Sequence, residues 1–285
     1  AMITEANKIK YKLEKAIYLA KSGRPGPVLI DIPMNIQRTD VVVDELISFY
    51  DTQEYYKYID EKFDIDKVNE VMELIKISKR PMILVGGGVR LAGACDELRK
   101  LSHITGIPVV TTLMGIDCIS HEDENHVGFI GAYGNRYSNF TVANSDLLIV
   151  LGSRLTSRQT STIFDSFARE AKIVHVDIDK NEFNRNIKED LSIYCDLRVF
   201  LNKLNEIIIS NELKLDYKEW KSKISTYKNK YPSYPTQKDS NSLDPNEFMH
   251  KLGQILSEDT VICLDIGQNQ IWASQSLKLK NNQRL

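Results

Sequence analysis

The sequence predicts an α/β fold built on a doubly wound parallel sheet, and three observations carry the prediction. Apolar runs such as Pro81-Met-Ile-Leu-Val85 and Asp146-Leu-Leu-Ile-Val-Leu-Gly152 lack the polar alternation of a half-wetted sheet, so they read as strands covered on both faces. Stretches with helical apolar spacing alternate with these runs, as parallel strand-helix-strand units require. The runs end in glycine, hydroxyl or charged residues, at the edge where ligands bind in such sheets.

Composition narrows the possibilities. The chain of 285 residues, 42% hydrophobic with a formal net charge of −2, can bury a substantial core and is not basic enough for a nucleic-acid partner. Lysines at 221–230 and 278–280 are interspersed with other residues and read as solvated helix faces. Cys95, Cys118, Cys195 and Cys263 lie far apart, and Cys95, Cys195 and Cys263 fall on apolar faces, as reduced core thiols of a cytoplasmic protein would. No zinc-like spacing occurs, and no apolar run approaches the roughly 20 residues of a membrane span, so neither a metal nor a membrane partner is expected from the residues.

In chain order, Thr4 can cap a helix striped by Ile9, Leu13, Ala16, Ile17 and Ala20 and ended by Gly23. Gly23-Arg-Pro-Gly-Pro27 then turns into a strand, Val28-Leu-Ile-Asp-Ile32, which Pro33 stops. One helix and one strand close no sheet, so residues 1–40 read as the C-terminal remnant of a domain, and the acidic, Tyr-rich residues 41–65 as a linker. A central domain, 66–212, opens with a helix capped by Asp66 and lined by Val68, Val71, Met72 and Ile75, leading into strand Pro81–Val85. Gly86, Gly87 and Gly88 then form a strand-to-helix turn, where glycine permits positive φ and the next helix offers free N–H groups to a phosphate. That helix runs from Leu91 to Leu101, and a second strand from Gly106 to Thr112.

Residues 113–118 and 121–137 read as loops, the latter holding Gly128, Gly131 and Gly134. After a helix from Tyr137 to Asn144, the strand ending at Gly152 delivers Arg154 and Arg158 in Ser153-Arg-Leu-Thr-Ser-Arg158. Ile173-Val-His-Val-Asp-Ile-Asp179 ends in two carboxylates with His175 packed mid-strand, and Ser192–Asp196 is a fifth strand before a helix from Leu197 to Ser210. Residues 213–243 read as a charged helix and second linker. Residues 244–285 read as the start of another domain: a capping-box-like Asp244-Pro-Asn-Glu247, a helix, then a strand Thr260–Asp265.

These strand ends bring together the features of a Rossmann-like dinucleotide crevice. Glycines and helix amino ends suit a pyrophosphate, Arg154 and Arg158 add charge-assisted hydrogen bonds, and Asp177 can accept from ribose hydroxyls. The bland alternative has Arg154 and Asp177 pair structurally with each other or with a neighbouring domain. Gly86 to Gly93 also departs from the usual Gly-x-Gly-x-x-Gly spacing. No catalytic set is readable.

Six motifs, taken in order, resemble one family. Gly23-Arg-Pro-Gly-Pro-Val-Leu-Ile-Asp-Ile-Pro33, the Gly86 triplet, Thr112-Leu-Met-Gly115, Gly152-Ser-Arg154 with Arg158, Val174-His-Val-Asp-Ile-Asp179 and Asp265-Ile-Gly-Gln-Asn-Gln-Ile-Trp272 are similar to the acetolactate synthase group of thiamine diphosphate enzymes. The resemblance covers nearly the whole chain. It implies a central domain with parts of a pyrimidine-binding domain before it and a diphosphate-binding domain after it. It also implies thiamine diphosphate and Mg in the intact enzyme, FAD in the central domain, a 2-oxo acid as small-molecule substrate, and a homo-oligomer.

By the same resemblance, Gly86, Gly87, Gly88, Thr112, Leu113, Met114, Gly131, Gly134, Gly152, Arg154, Arg158, Asp177, Ile178 and Asp196 would contact FAD. Gly267, Gln268 and Asn269 would supply part of the thiamine diphosphate site. The family's activating glutamate and its Gly-Asp-Gly magnesium motif have no counterpart here, so the expectation is that residues 1–285 alone are inactive. Two interiors differ from the family: Gly131-Ala-Tyr-Gly134 stands for Gly-Met-His-Gly, and Arg154-Leu-Thr-Ser-Arg158 has lost two carboxylates. A stand-alone nucleotide-binding or regulatory module is the alternative.

Overall fold

Six strands line up in parallel, in the order β3-β2-β1-β4-β5-β6, in the computed structural model, which describes residues 1–59, 64–234 and 243–285. They are β1 (Pro81–Val85), β2 (Val109–Thr111), β3 (His126–Phe129), β4 (Leu147–Leu151), β5 (Lys172–Asp177) and β6 (Leu191–Tyr194). Strand order reverses between β1 and β4, whose residues are all buried, so the crevice of a doubly wound sheet opens above their carboxyl ends. The five strands expected of the central domain are present. The sixth, β3, lies in a stretch read as loop: His126-Val-Gly-Phe129 has no apolar run, and only its ladder with β2, bulged at Val109/Val110, makes it a strand.

Chain compactness divides the molecule into Ala1–Phe63 and Asp64–Leu285. In the first unit, helices α1 (Ile9–Lys21), α2 (Met34–Gln37) and α3 (Gln53–Ile59) are joined by irregular chain. Thr4 caps nothing, because a 3-10 turn at Ala6–Lys8 precedes α1. The expected strand Val28–Ile32 is reduced to one bridge between Met2 and Asp31, with Leu29 82% exposed, because no neighbouring strand lies beside it among the described residues. The Tyr-rich stretch expected to run over the surface instead buries Phe49 among the rings of Tyr11, Tyr18, Tyr50 and Tyr55, at centroid distances of 5.5–5.7 Å. Glu14 fastens it, accepting from Ser48 Oγ at 2.7 Å and Phe49 N at 2.8 Å. Residues 60–63 of this expected linker lie outside the described residues.

In the second unit, α4 (Ile65–Ile77) is capped by Asp64, not Asp66: the Asp64 carboxylate accepts from Asp66 N at 3.2 Å. The single helix expected from Leu91 is two, α5 (Gly87–Leu91) and α6 (Cys95–Thr105), broken where Gly93 takes φ +64°. Helices α7 (Arg136–Ala143), α8 (Ser157–Thr160), α9 (Leu197–Ser210) and α10 (Lys218–Lys230) complete the sheet's cover. α10, expected in a linker, is docked: Trp220 Nε1 donates to Pro81 O at 3.2 Å, Tyr217 Oη to Ile75 O at 3.2 Å and Lys228 Nζ to His126 O at 2.7 Å. Residues 235–242, also expected as linker, lie outside the described residues.

Helices α11 (Pro245–Ile255) and α12 (Gln268–Ser276) follow, the first capped by Asp244 with proline in its first turn, as expected. Thr260–Asp265 does not form the expected strand. It has a single bridge, Val261 to Arg284, although its alternation survives: Ile262 and Leu264 pack on a cluster of Ile116, Phe129, Ala273, Leu277 and Leu279 while Val261 and Cys263 are exposed. Cys263 is therefore not a core thiol, whereas Cys118, in a loop, is fully buried.

Candidate functional site at the carboxyl ends of the strands

The floor of the crevice is backbone. Gly86 N donates to Leu151 O at 2.9 Å and Gly88 N to Gly152 O at 3.1 Å, tying the ends of β1 and β4 together. A Cβ on Gly86 would run into the Gly152 carbonyl, and one on Gly88 would lie 2.7 Å from Gly152 Cα. These glycines therefore serve close approach. Positive φ belongs to Gly152 (+58°) and not to the triplet, and two of the three amides expected to face a phosphate are spent on β4. Gly87 faces a different neighbour, its Cβ position lying 3.1 Å from Met114 Cβ.

Above this floor stand two unpaired cations. Arg154 and Arg158 are exposed, and neither side chain has a hydrogen-bond or ion-pair partner among the described residues. Leu155 explains the outward set of the segment: at φ +46° its side chain turns inward and is only 3% exposed. Thr156 and Gln159 then close a capping box on α8, with Thr156 N donating to Gln159 Oε1 at 3.0 Å. The Arg158 backbone is held from β3, since Ala132 N donates to Arg158 O at 2.8 Å, and Gly131 (φ +115°) leaves room for that carbonyl. Gly134 N returns to Gly131 O at 2.9 Å, so both glycines build the turn that supports the arginine segment.

The remaining expected residues divide by what occupies them. Thr112 directs both its amide (2.9 Å) and its hydroxyl (3.1 Å) to Val85 O, locking β2 to β1. Leu113 packs on the Ile116 cluster, while Met114 is 73% exposed. Asp177 accepts from Asp179 N at 2.9 Å and lies 3.8 Å from His175 Nε2, so the structure does not show the alternative Arg154–Asp177 ion pair. Burial pushes the Asp177 carboxyl up, against the Asp179 amide and His175, which pull it down. Ile178 is half-buried, and Asp196 caps α9, accepting from Arg198 N and Val199 N at 2.8 and 3.3 Å.

The sheet thus gathers the glycine, threonine, arginine and aspartate positions at one edge. Gly267, Gln268 and Asn269 sit elsewhere, at the amino end of α12, where the Asn269 amide donates to Asp265 and its oxygen accepts from Gln270 N at 2.9 Å. Sequence reasoning missed two arrangements. His175 is held by Glu189 (Nδ1 to Oε1 2.6 Å), whose other oxygen accepts from Ser192 Oγ at 2.5 Å. Asp117 pairs with Arg90 and accepts from Arg284 Nε at 3.2 Å and Leu285 N at 3.1 Å, fastening the C-terminal segment to the sheet. Neither Glu189 nor Asp117 stands in a readable motif.

Residues 68–204, from α4 into α9, match the family described as thiamine pyrophosphate enzyme, central domain. This region is therefore similar to the central domain of thiamine pyrophosphate enzymes. Beyond this central domain, the similarity continues along the chain. It is 34% identical over 282 residues to acetolactate synthase 2, chloroplastic, of Nicotiana tabacum, covering 98% of this chain and 42% of that protein. It is 35% identical over 288 residues to a probable acetolactate synthase large subunit of Methanocaldococcus jannaschii, covering 98% of this chain and 48% of the relative. The chain therefore spans less than half the length of these relatives. Among the described residues, no helix is long and apolar enough to cross a membrane.

Proposed function

We propose that this chain is the central part of a thiamine diphosphate-dependent carboligase of the acetolactate synthase kind, acting in the cytoplasm on a 2-oxo acid and transferring the acyl unit left by decarboxylation to a second carbonyl. On this reading residues 1–40 and 244–285 belong to the flanking pyrimidine- and diphosphate-binding domains, joined by segments 41–65 and 213–243, and the intact protein is a homo-oligomer. Thiamine diphosphate, held with Mg, supplies the carbanion chemistry when bound. Gly267, Gln268 and Asn269 are this chain's contribution to its diphosphate.

The crevice is proposed to hold FAD in a structural role, since carboligation needs no net electron transfer. The residues present fit the group in their charge: exposed Arg154 and Arg158 have no partner to give up among the described residues, and they follow the glycine turn at the ends of β1 and β4. Gly87, Met114, Asp177 and Ile178 would line the remainder, while Thr112, Gly131, Gly134 and Asp196 hold the framework. The unpaired arginines above a glycine floor are the observation that carries this reading. Flavin fluorescence titration tests it. Saturable quenching, weakened about tenfold or more in Arg154→Ala as loss of a charge-assisted bond requires, supports the site. Wild-type protein that leaves FAD fluorescence unchanged argues against it.

A further inference from the structure

His175 is wholly buried in β5, and its two ring nitrogens stand in different surroundings. Nδ1 lies 2.6 Å from Glu189 Oε1. Nε2 is buried without a hydrogen-bond partner among the described residues and lies 3.8 Å from Asp177 Oδ2, within ion-pair reach but beyond a hydrogen bond. Residues two apart on a strand share a face, so the open nitrogen looks along β5 to Asp177, its last residue, at the crevice. A buried polar atom left open is costly, and its place beside a crevice residue points to a ligand.

The far side of the ring is built to hold it. Asn184, at φ +52°, grips Glu189 twice: Asn184 N donates to Glu189 Oε1 at 3.1 Å, and Glu189 N donates to Asn184 Oδ1 at 3.0 Å. Ser192 Oγ donates to Glu189 Oε2 at 2.5 Å, and Ser192, on β6, is the register partner of His175. Lys67 Nζ in turn donates to Ser192 O at 3.0 Å. Glu189 thus accepts at both oxygens, which makes it a carboxylate and puts the proton of its histidine contact on Nδ1. Phe183 packs edge-on to the imidazole at a centroid distance of 5.2 Å. The ring cannot turn without giving up these contacts, so the direction of Nε2 is fixed.

We propose, on the reading that the crevice takes FAD, that His175 is a positioning residue: anchored by Glu189, it shares a proton with Asp177 through Nε2 and turns the Asp177 carboxylate to accept the vicinal hydroxyls of an adenosine ribose. With Nδ1 protonated, a bare Nε2 would set its lone pair against a carboxylate oxygen, and two buried acceptors repel unless a proton lies between them. The surroundings are acidic. Burial raises the Asp177 carboxyl most, the Asp179 amide and His175 lower it, and the charges of Glu182 and Asp179 raise it again. Arg185 Nη1 is directed to Glu182 Oε2, at 3.1 Å. Each carboxylate oxygen has two lone pairs. Asp177 Oδ1 gives one to Asp179 N at 2.9 Å and Oδ2 gives one to the shared proton, which leaves one on each oxygen for the two donors of a ribose diol.

Nucleotide binding tests the assignment, with ADP and its 2′,3′-dideoxy analogue as probes. The wild-type chain should prefer ADP by about tenfold or more, as hydrogen bonds to a carboxylate require. His175→Asn, whose amide can reach Glu189 but not Asp177, should bring the two nucleotides to nearly equal affinity, as should Asp177→Ala. His175→Gln, whose longer amide can reach Asp177, should restore most of the preference. A wild type that binds both probes equally, a His175→Asn variant that keeps the preference, or a His175→Gln variant that loses it to the same extent would overturn the proposal and leave the FAD reading standing. A wild type that binds neither FAD nor ADP would overturn both. ¹⁵N NMR of the ligand-free chain needs no histidine variant: the His175 Nε2 resonance should shift in Asp177→Asn, and an unmoved resonance would rule out the shared proton. Circular dichroism of each variant confirms that the fold is retained.

Discussion

Gly88 donates its amide to the carbonyl of Gly152 at 3.1 Å, so β1 and β4 end with their backbones in contact. A methyl group at either position has no space: at Gly88 it would lie 2.7 Å from Gly152 Cα, and at Gly152 2.7 Å from both Gly88 Cα and Leu197 Cδ1. Gly152→Ala adds the strain of φ +58°. Both alanine variants should lose about 1–3 kcal/mol or more in urea unfolding, as overpacked sites do. An unchanged midpoint would mean the strand ends are further apart than described.

Arg154→Ala and Arg158→Ala should leave unfolding within about 0.5 kcal/mol of wild type, because both side chains are exposed and unpaired. Each should still weaken the binding of FAD or ADP. A large loss of stability without loss of binding would make the arginines framework residues.

Trp220 is 3% exposed, with Nε1 bonded to Pro81 O at 3.2 Å. Trp220→Phe should destabilise by about 1 kcal/mol for the lost hydrogen bond, plus the cost of a smaller ring. This would establish by unfolding that α10 is part of the sheet domain. A neutral substitution would return the segment to the status of a tether.

The stacked rings of His121 and His126, 4.2 Å apart, set an acid limit on stability. Burial lowers both, His121 to about 4, outweighing its two carbonyl contacts, Nδ1 to Leu277 O at 2.9 Å and Nε2 to Ile116 O at 3.1 Å; Lys228 and Lys278 add to the depression. A depressed folded value means that the unfolded chain binds protons first. The histidine contribution is therefore complete above the unfolded value of about 6.5 and is lost as pH falls from there through about 4. Urea midpoints measured from pH 7 to pH 4 should fall, and His121→Asn should flatten the slope. Equal slopes in both proteins would contradict the assignment.

What was legible in the sequence follows from where the physics is local. β1, β4 and β5 are apolar runs buried on both faces, and the Asp244-Pro-Asn-Glu247 cap depends on adjacent residues, so each could be read directly. β3 could not, since His126-Val-Gly-Phe129 becomes a strand only through pairing with β2. The same holds for Val28–Ile32 and Thr260–Asp265 in reverse: strand-like composition forms no ladder without partner strands. At the site, Arg154 and Arg158 were found because they adjoin a strand end. The use of Gly86 and Gly88 for packing on Gly152, and of Glu189 to hold His175, depends on contacts distant in sequence.

Hydrogen–deuterium exchange with and without FAD tests the central claim most directly, because it reports where the ligand sits. Bound FAD should slow exchange in segments 86–88, 112–114 and 152–158 and leave residues 267–270 unchanged. Slowing confined to 267–270, or no change at the strand ends under saturating FAD, would contradict it.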